Sequence, residues 1–320
     1  MTLIALEEHI LPGALAAQVW TKDLPEAVTG RPGLRAALAD VTGRRLPVMD
    51  EAGIDIQVLS PVAPGPQAAG PEDSVRLTRA LNDALAAIAA EHPARFRVLA
   101  SLPTPSPGAA ADEARRAVRE LGMCGVIVQG HTHGRFLDAP EFGPLLTAVE
   151  ELGVPVYLHP TFPPAAVAQA YYGGLPDAAA GLLATSAWGW HAETGLHVLR
   201  MAVAGVFDRH PGLQVVVGHM GENLPFSLAR ADEVLSGSMP GPRALAEVVR
   251  AHVSVTISGY ATVPPLQCAL AVLGADRILF AADYPFGDPV RHAGFLTSAP
   301  ISPGDREKIA HLNAERLFAL

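Results

Sequence analysis

Short apolar runs rich in Val, Ile and Leu alternate with longer segments in which apolar residues recur at helical spacing. The short runs predict eight β-strands, at about 3–7, 55–60, 96–101, 125–129, 154–158, 213–218, 252–257 and 277–282. The longer segments predict helices at 73–92, 108–121, 140–152, 192–209, 223–235, 264–273 and 304–318. Such alternation is typical of a parallel sheet covered by helices.

Eight βα units in 320 residues predict an α/β fold, a (β/α)8 TIM barrel, as a single domain over residues 1–320. In this fold the chemistry lies at the carboxyl ends of the strands. Two segments rich in Pro, Gly and Ala, 10–44 and 160–190, are expected to be long active-site loops that cover this end.

The composition narrows the class of partner. A net charge of -9 without a basic cluster argues against nucleic acid, and no breaker-free apolar stretch reaches the roughly 18 residues that a membrane span needs. Only two cysteines occur, Cys124 and Cys268, and the amino terminus carries no secretion signal pattern. We therefore expect a cytoplasmic protein whose partner is a small molecule.

Candidate metal ligands lie at the ends of several of the predicted strands. Glu7 and His9 are alternate residues after the first run, so they are expected to point together while the intervening Glu8 points away. Three later runs end at His159, His219 and Asp283. Strand ends of a barrel meet at one rim, and carboxylates with imidazoles suit one divalent ion such as Zn²⁺ or Mn²⁺.

The residue at the end of the fourth strand indicates the number of ions. Binuclear metal hydrolases often bridge two ions with a carboxylated lysine at the end of a middle strand. The corresponding run here, Gly125-Val-Ile-Val-Gln129, ends in glutamine, and the chain has only two lysines, Lys22 and Lys308. The sequence therefore favours a mononuclear site.

Four motifs resemble one known family: Ala5-Leu-Glu-Glu-His9, Leu158-His-Pro160, Gly218-His-Met-Gly-Glu222 and the segment from Gly274 to Phe286. They are similar to the amidohydrolase-related metal-dependent decarboxylases, which include γ-resorcylate, 2,3-dihydroxybenzoate and aminocarboxymuconate semialdehyde decarboxylases. The similarity runs essentially end to end. It implies an amidohydrolase-type barrel and a carboxy-lyase, that is, a non-oxidative decarboxylase of a hydroxylated aromatic or related unsaturated carboxylic acid.

The resemblance also implies a ligand set. Its motifs place Glu7, His9, His159 and Asp283 around one metal ion. Many relatives carry His-x-His after the first strand, whereas this chain has Glu-x-His as in the hydroxybenzoate decarboxylases, which favours the aromatic branch. The resemblance further suggests Asp283 as the proton donor; the alternative is that Asp283 acts only as a ligand.

His219 and Glu222 form a second candidate pair. A glutamate three residues after a histidine can orient the imidazole and raise its basicity. In a hydrolase the same pair would activate water, so a hydrolase or hydratase acting on a lactone, ester or unsaturated acid is the alternative function. A barrel that has lost catalysis and only binds a ligand is a third hypothesis, which the intact ligand set disfavours.

Three residues are candidates for substrate binding. Arg45 and Arg230 resemble arginines that bind the substrate carboxylate in the muconate decarboxylase, one of them from a neighbouring subunit, so we expect a homodimer or homotetramer. The alternative roles are a structural ion pair for Arg45 and an ordinary surface position for Arg230. Trp190 precedes an apolar helix and is expected either to stack on an aromatic substrate or to fill the core.

Three further histidines have no assigned role. His191 departs from the family pattern and is expected to add a polar contact. His131 and His133 come after the fourth strand as Gly-His-Thr-His and resemble a ligand pair, but the four-ligand set is complete without them.

Overall fold

The structure is a computed structural model that describes residues 1–13, 15, 18 and 33–320. Its eight parallel strands form one sheet in chain order. The strands are β1 (Ile4–Ile10), β2 (Ile56–Pro61), β3 (Phe96–Ser101), β4 (Gly125–Gln129), β5 (Val156–His159), β6 (Val215–Val217), β7 (Val253–Thr256) and β8 (Ile278–Leu279). A parallel bridge between Leu6 and Ala281 joins β1 to the segment after β8. The sheet therefore closes into the predicted barrel.

Helices alternate with the strands and surround the sheet. Those described are α1 (Leu34–Ala39), α2 (Arg45–Ala52), α3 (Pro71–Glu91), α4 (Pro107–Arg119), α5 (Gly143–Leu152), α6 (Ala165–Tyr172), α7 (Asp177–Ala184), α8 (Gly189–Val203), α9 (Val206–Arg209), α10 (Leu224–Leu235), α11 (Leu245–His252), α12 (Val263–Leu273), α13 (Pro289–Ser298), α14 (Pro303–Glu307) and α15 (Asn313–Phe318). Among the described residues, no helix combines the length and apolar character needed to cross a membrane.

The structure corrects the segment expected to be a loop over 160–190. It contains α6 and α7, which begin directly after Pro164 and Pro176. Both prolines are N-cap residues, just before the first helical residue, where the missing N–H costs no hydrogen bond within the helix. Alanine-rich sequence behind each proline then continues as helix. Between α7 and α8, Thr185, Ser186 and Ala187 line a cavity at the carboxyl end of the barrel.

Other predicted elements differ in detail. The helix predicted over 192–209 is two helices, because Gly205 adopts a positive φ of 72° between α8 and α9. The helix predicted over 304–318 contains a π-helical turn, Lys308–Leu312, between α14 and α15. Of the loop expected over 10–44, residues 14, 16, 17 and 19–32 lie outside the described residues, and α1 occupies part of the remainder.

Two apolar clusters separate the inside of the barrel from its outside. The interior cluster consists of Ile4, Leu6, Val58, Leu99, Ile127, Tyr157, Val216, Leu279 and Ala281 from the barrel, with Ala314 and Phe318 from α15. The intervening strand residues pack against the helices in a larger outer cluster. Phe318 lies beside Gly125 at the start of β4, so α15 closes the amino end of the barrel. The carboxyl end is left for a functional site.

A bulge in β1 determines which of its polar residues enter the barrel. Ile4 and Leu6 face the interior cluster, so regular alternation would place Glu8 inside and Glu7 outside. Instead the pairing with β2 shifts register between Ala5 and Glu8, and Glu7 adopts a φ of 62°. One extra residue inverts the alternation of the residues after it. Glu7 and His9 therefore face the same side, as expected.

The position of Phe318 generates a stability prediction. Replacing this buried ring by alanine should lower the free energy of unfolding by about 3–5 kcal/mol, because the end of the interior cluster loses its packing. The matched control is Phe226→Ala, since Phe226 is 87% exposed and should change stability by less than about 0.5 kcal/mol. Urea unfolding of both variants tests this, and equal losses would contradict the assignment of Phe318 to the core.

Candidate active site

Glu7 lies at the centre of the carboxyl end of the barrel, and its side chain is fully buried. Its Oε2 accepts hydrogen bonds from the hydroxyls of Tyr157 (2.5 Å), Thr256 (3.2 Å) and Ser258. Its Oε1 is buried without a hydrogen-bond partner. Burial raises the pKa of Glu7, although His219 and His9 oppose this. One carboxylate oxygen is thus fully satisfied and the other is available to a ligand.

Two imidazoles face the free oxygen of Glu7. The Nε2 atoms of His159 and His219 lie 3.5 and 3.6 Å from Oε1. His159 uses its Nδ1–H to donate to the Pro160 carbonyl over 2.7 Å, which leaves Nε2 as the atom with the lone pair. Burial, reinforced by the neighbouring His9 and His219, lowers the pKa of His159 to about 3. His159 is therefore a neutral imidazole with the tautomer of a metal ligand.

Asp283, in the turn after β8, completes a polar cluster with Glu7, His9, His159 and His219. Its Oδ1 lies 3.3 Å from His9 Nε2, and its Oδ2 lies 3.9 Å from His219 Nε2. Burial alone would raise the pKa of Asp283, but His219 and His9 outweigh it and the pKa is lowered. The same opposition acts on His219, where burial lowers the pKa and the carboxylates of Glu7 and Glu222 raise it well above the usual value. In this pair the proton is held on His219.

The donor atoms fit one divalent metal ion. Ligand atoms about 2.0–2.2 Å from an ion lie roughly 3–3.5 Å from one another, close to the separations of His9 from Asp283 (3.3 Å) and of His159 from Glu7 (3.5 Å). The unpartnered buried Oε1 of Glu7 is the kind of atom that a cation satisfies. Carboxylates with neutral imidazoles suit Zn²⁺ or Mn²⁺. The structure thus brings together all four residues of the predicted ligand set.

Glu222 bridges two histidines. Its Oε1 accepts from His219 Nδ1 over 2.5 Å, and its Oε2 contacts Nδ1 of His191. The other ring nitrogen of His191 donates to the Ser186 carbonyl over 3.0 Å. Burial would raise the pKa of Glu222, but His219 and His191 lower it to about 2. Glu222 is therefore a carboxylate that orients both imidazoles, and the polar contact expected from His191 is made to this carboxylate.

Backbone strain is concentrated at these residues. Glu7, His219, Glu222 and Asp283 all adopt positive φ values, between 48° and 62°, although none is glycine. Such conformations cost about 1–3 kcal/mol each and persist where the surroundings enforce them, most often at functional sites. Three of these side chains, those of Glu7, His219 and Asp283, lie within 4 Å of one another in pairs through His219, and the fourth, Glu222, orients His219.

A cavity of about 280 Å³ opens above the cluster. Phe162, Trp190 and Phe286 give it aromatic walls, and Trp190 lies edge-on to both His159 and Phe162 at 6.2 and 6.0 Å between ring centroids. The described residues that line it include no arginine or lysine. The cavity therefore suits a flat, largely apolar molecule whose charged end meets the cluster.

Arg45 does not line the cavity, contrary to the expectation of a substrate contact. Its guanidinium is fully buried, where it donates to the carbonyl of His9 over 2.6 Å and to the Gln57 side chain over 3.1 Å. Gln57 in turn donates to Glu8, whose other oxygen accepts from the Ala282 amide. Burial raises the pKa of Glu8 to about 8. Arg45 and Glu8 thus form a buried polar network that fixes β1 beside the segment before Asp283.

Arg230 is also absent from the cavity of a single chain. It lies on α10 with a 75% exposed side chain and pairs with Glu233 over 2.9 Å. This ion pair is a helix-surface contact between residues three apart. Within one chain Arg230 therefore has the surface position that the sequence allowed as its alternative.

His131 and His133 do not join the cluster. His131 donates through Nε2 to the Phe162 carbonyl over 3.1 Å and accepts through Nδ1 from the Gly134 amide. His133 contacts the Ala69 carbonyl. Both rings are therefore engaged with backbone groups of loops.

Gln129, at the strand end where a bridging lysine would stand, donates to the Pro61 carbonyl.

Comparisons with known proteins agree with the geometry. The amidohydrolase family profile matches residues 20–320. The chain belongs to the amidohydrolase family. This amidohydrolase is 37% identical over 326 residues to the decarboxylase orsB of Emericella nidulans, covering 99% of this chain and 96% of that protein. It is likewise 37% identical over 335 residues to a γ-resorcylate decarboxylase of Polaromonas sp., with 99% and 98% covered.

A solved structure extends the comparison to the fold of this amidohydrolase. A dihydroxybenzoic acid decarboxylase from Polaromonas sp., with bound manganese and the inhibitor 2-nitroresorcinol, matches with a TM-score of 0.90 and 35% identity. The match covers 100% of this chain and 97% of that one. The family predicted from the four sequence motifs is therefore confirmed.

Two features of the site were not predicted from the sequence, the hydroxyls around Glu7 and a glycine beside it. Tyr157 lies on β5 two residues before His159. Thr256 is the last residue of β7, and Ser258 follows it by two residues. The alternation of a strand that places His159 in the site also places Tyr157 below it, so the signal was present. Gly218 was recognised only as part of a motif, although a Cβ there would lie 2.7 Å from Oε1 of Glu7.

The contact at Gly218 generates a prediction for this amidohydrolase. Gly218→Ala should displace the Glu7 carboxylate and weaken Mn²⁺ binding by at least tenfold, because a Cβ would meet both carboxylate oxygens within 2.8 Å. The matched control is Gly237→Ala, where a Cβ meets nothing within 4 Å. Chelator competition measures both affinities, and unchanged Mn²⁺ binding by Gly218→Ala would contradict the close packing of Gly218 against Glu7.

Proposed function

We propose that this chain is a metal-dependent, non-oxidative decarboxylase of an ortho-hydroxylated aromatic carboxylic acid. The observation that carries the proposal is that His9, His159 and Asp283 line a cavity with aromatic walls, while the free oxygen of the buried Glu7 faces His159 from below. The names of the relatives, a γ-resorcylate decarboxylase among them, support the reaction and the class of substrate.

These four residues would hold one divalent ion, Mn²⁺ or Zn²⁺. Manganese in the related dihydroxybenzoic acid decarboxylase supports the first choice, and the donor set suits both. When bound, the ion supplies positive charge that stabilises negative charge on the substrate carboxylate and on the neighbouring ring oxygen. The residues around it then have to orient the ring and deliver a proton.

The proton must reach the ring carbon that bears the carboxylate, because direct loss of CO₂ would leave an aryl carbanion of very high energy. A new C–H bond forms first, and the electrons of the breaking C–C bond then restore the aromatic ring as CO₂ leaves. One proton is consumed for each CO₂ released. Asp283, which lines the cavity, is the residue proposed to deliver it.

His219 is proposed to supply Asp283 with this proton. Its raised pKa keeps a proton on the imidazole, and its Nε2 lies 3.9 Å from Oδ2 of Asp283. Glu222 accepts from Nδ1 and so holds the ring with Nε2 turned toward the cluster. Direct transfer needs a shorter separation, so a proton on Nε2 would pass through one bridging water to Asp283 and from there to the substrate.

Trp190, Phe162 and Phe286 are proposed to hold the substrate ring. Flat apolar walls orient an aromatic ring without fixing its substituents. Holding the substrate in the reactive orientation lowers the activation free energy of the reaction. The position of Trp190 at the start of α8, in the wall of the cavity, supports this role.

Several expectations stay proposals. Arg230 can act on a substrate only in another subunit, so its role depends on the proposed homodimer or homotetramer. A cytoplasmic location and a single domain over residues 1–320 are retained on the grounds given from the sequence. The free thiols of Cys124 and Cys268 are compatible with that location.

The proposed reaction makes a specific isotopic prediction. Mn²⁺-loaded protein incubated in D₂O with ortho-hydroxybenzoates should release CO₂ and place one deuterium on the carbon that carried the carboxylate. Gas analysis, NMR and mass spectrometry of the product measure this. Oxygen from labelled water in the product without CO₂ would instead support the hydrolase or hydratase.

The same assay tests the donor. Asp283→Asn should lose at least a hundredfold in kcat, because an amide cannot deliver the proton. Metal content is measured alongside, since Asp283 is also a proposed ligand. Full turnover by a variant that retains its metal would contradict the role of Asp283.

A further inference from the structure

One oxygen of Glu7 is surrounded by hydroxyls. Tyr157, Thr256 and Ser258 all lie within hydrogen-bond distance of Oε2, whereas Oε1 has no hydrogen-bond partner. The hydroxyls come from two different strands, β5 and β7 with its extension. The two oxygens of one carboxylate are therefore in opposite states, one saturated and one free.

The directions of these hydrogen bonds follow from the carboxylate, which when ionised can only accept. Ser258 Oγ accepts from the backbone amide of His219 over 2.9 Å, and its single proton is then available to Glu7. Tyr157 also has a single proton, and its bond to Oε2 is 2.5 Å long. Ser258 consequently links Glu7 to the segment that carries His219.

The hydroxyls control a torsion that is otherwise loose. The terminal torsion of a glutamate is broad and roughly two-fold, so the packing of the stem alone does not decide which oxygen faces the cluster. Donors at Oε2 hold that oxygen away from His159 and His219, whose Nε2 atoms face Oε1. Gly218 has no Cβ, and a Cβ there would lie within 2.8 Å of both oxygens, so the carboxylate occupies space that any other residue would fill.

We propose that Tyr157 and Ser258 are positioning residues that lock Glu7 so that it binds the metal ion through Oε1 alone. The inference rests on the proposed metal site and deepens it. Neither Tyr157 nor Ser258 lines the cavity, so both act on the site only through Glu7. Their effect is to present one oxygen, already oriented, to the ion and to share the negative charge on the other.

The test is metal affinity, measured without substrate. Tyr157→Phe and Ser258→Ala each remove a single oxygen, and each should weaken Mn²⁺ binding by 10–100-fold in chelator competition. Thr256→Ser, which keeps its hydroxyl, should bind within threefold of the wild type. Tyr171→Phe is the matched control for loss of a phenol oxygen, because Tyr171 is 75% exposed.

Two results would overturn the proposal. One is Mn²⁺ affinity within twofold of the wild type in both Tyr157→Phe and Ser258→Ala. The other is loss of the folded circular dichroism spectrum in both, since the hydroxyls would then serve the fold itself. Ser258→Ala keeps the test available should Tyr157→Phe alone fail to fold.

The outcome is separable from that of the proposed function. Wild-type protein that binds Mn²⁺ but releases no CO₂ from any aromatic acid would reject the decarboxylase and leave the positioning role standing. Decarboxylation by the wild type, with Mn²⁺ affinity unchanged in both variants, would support the decarboxylase and reject the positioning role.

Discussion

A carboxylate buried at the centre of the barrel is the constraint on which this site depends. Glu7 has no exposure to solvent, and moving a charge from water into such an environment is costly unless it is paired and hydrogen-bonded. Three hydroxyls satisfy one of its oxygens, and the second faces two imidazoles and a space between ligand atoms. A divalent cation is the partner that completes this arrangement.

The local backbone conformation directs the side chains of the site toward Glu7. A bulge in β1 turns Glu7 and His9 inward and sends Glu8 to a separate network with Gln57 and Arg45. Positive φ values at His219 and Asp283 aim side chains from two further strand ends. The closed sheet below, packed by the interior cluster and covered by α15, provides the rigid support that such strain requires.

Much of this could be predicted because strands leave a simple pattern. The apolar runs located all eight strands, and the positions of residues such as His159 and Asp283 could be inferred from where those runs end. The bulge could not be predicted, since a backbone conformation at Glu7 depends on its neighbours in space. The burial of Arg45 likewise depends on Gln57, which is distant in sequence, and α6 and α7 were missed because their proline-led starts resemble loop sequence.

The most direct test of the buried carboxylate's central role is a comparison of wild-type protein with Glu7→Gln, by thermal unfolding with and without Mn²⁺. We expect Mn²⁺ to raise the melting temperature of the wild type and to leave that of Glu7→Gln unchanged. Metal-free Glu7→Gln should be at least as stable as metal-free wild type, because the amide removes a buried acid at little cost in shape. A variant that is less stable without metal yet is stabilised by Mn²⁺ like the wild type would contradict that role.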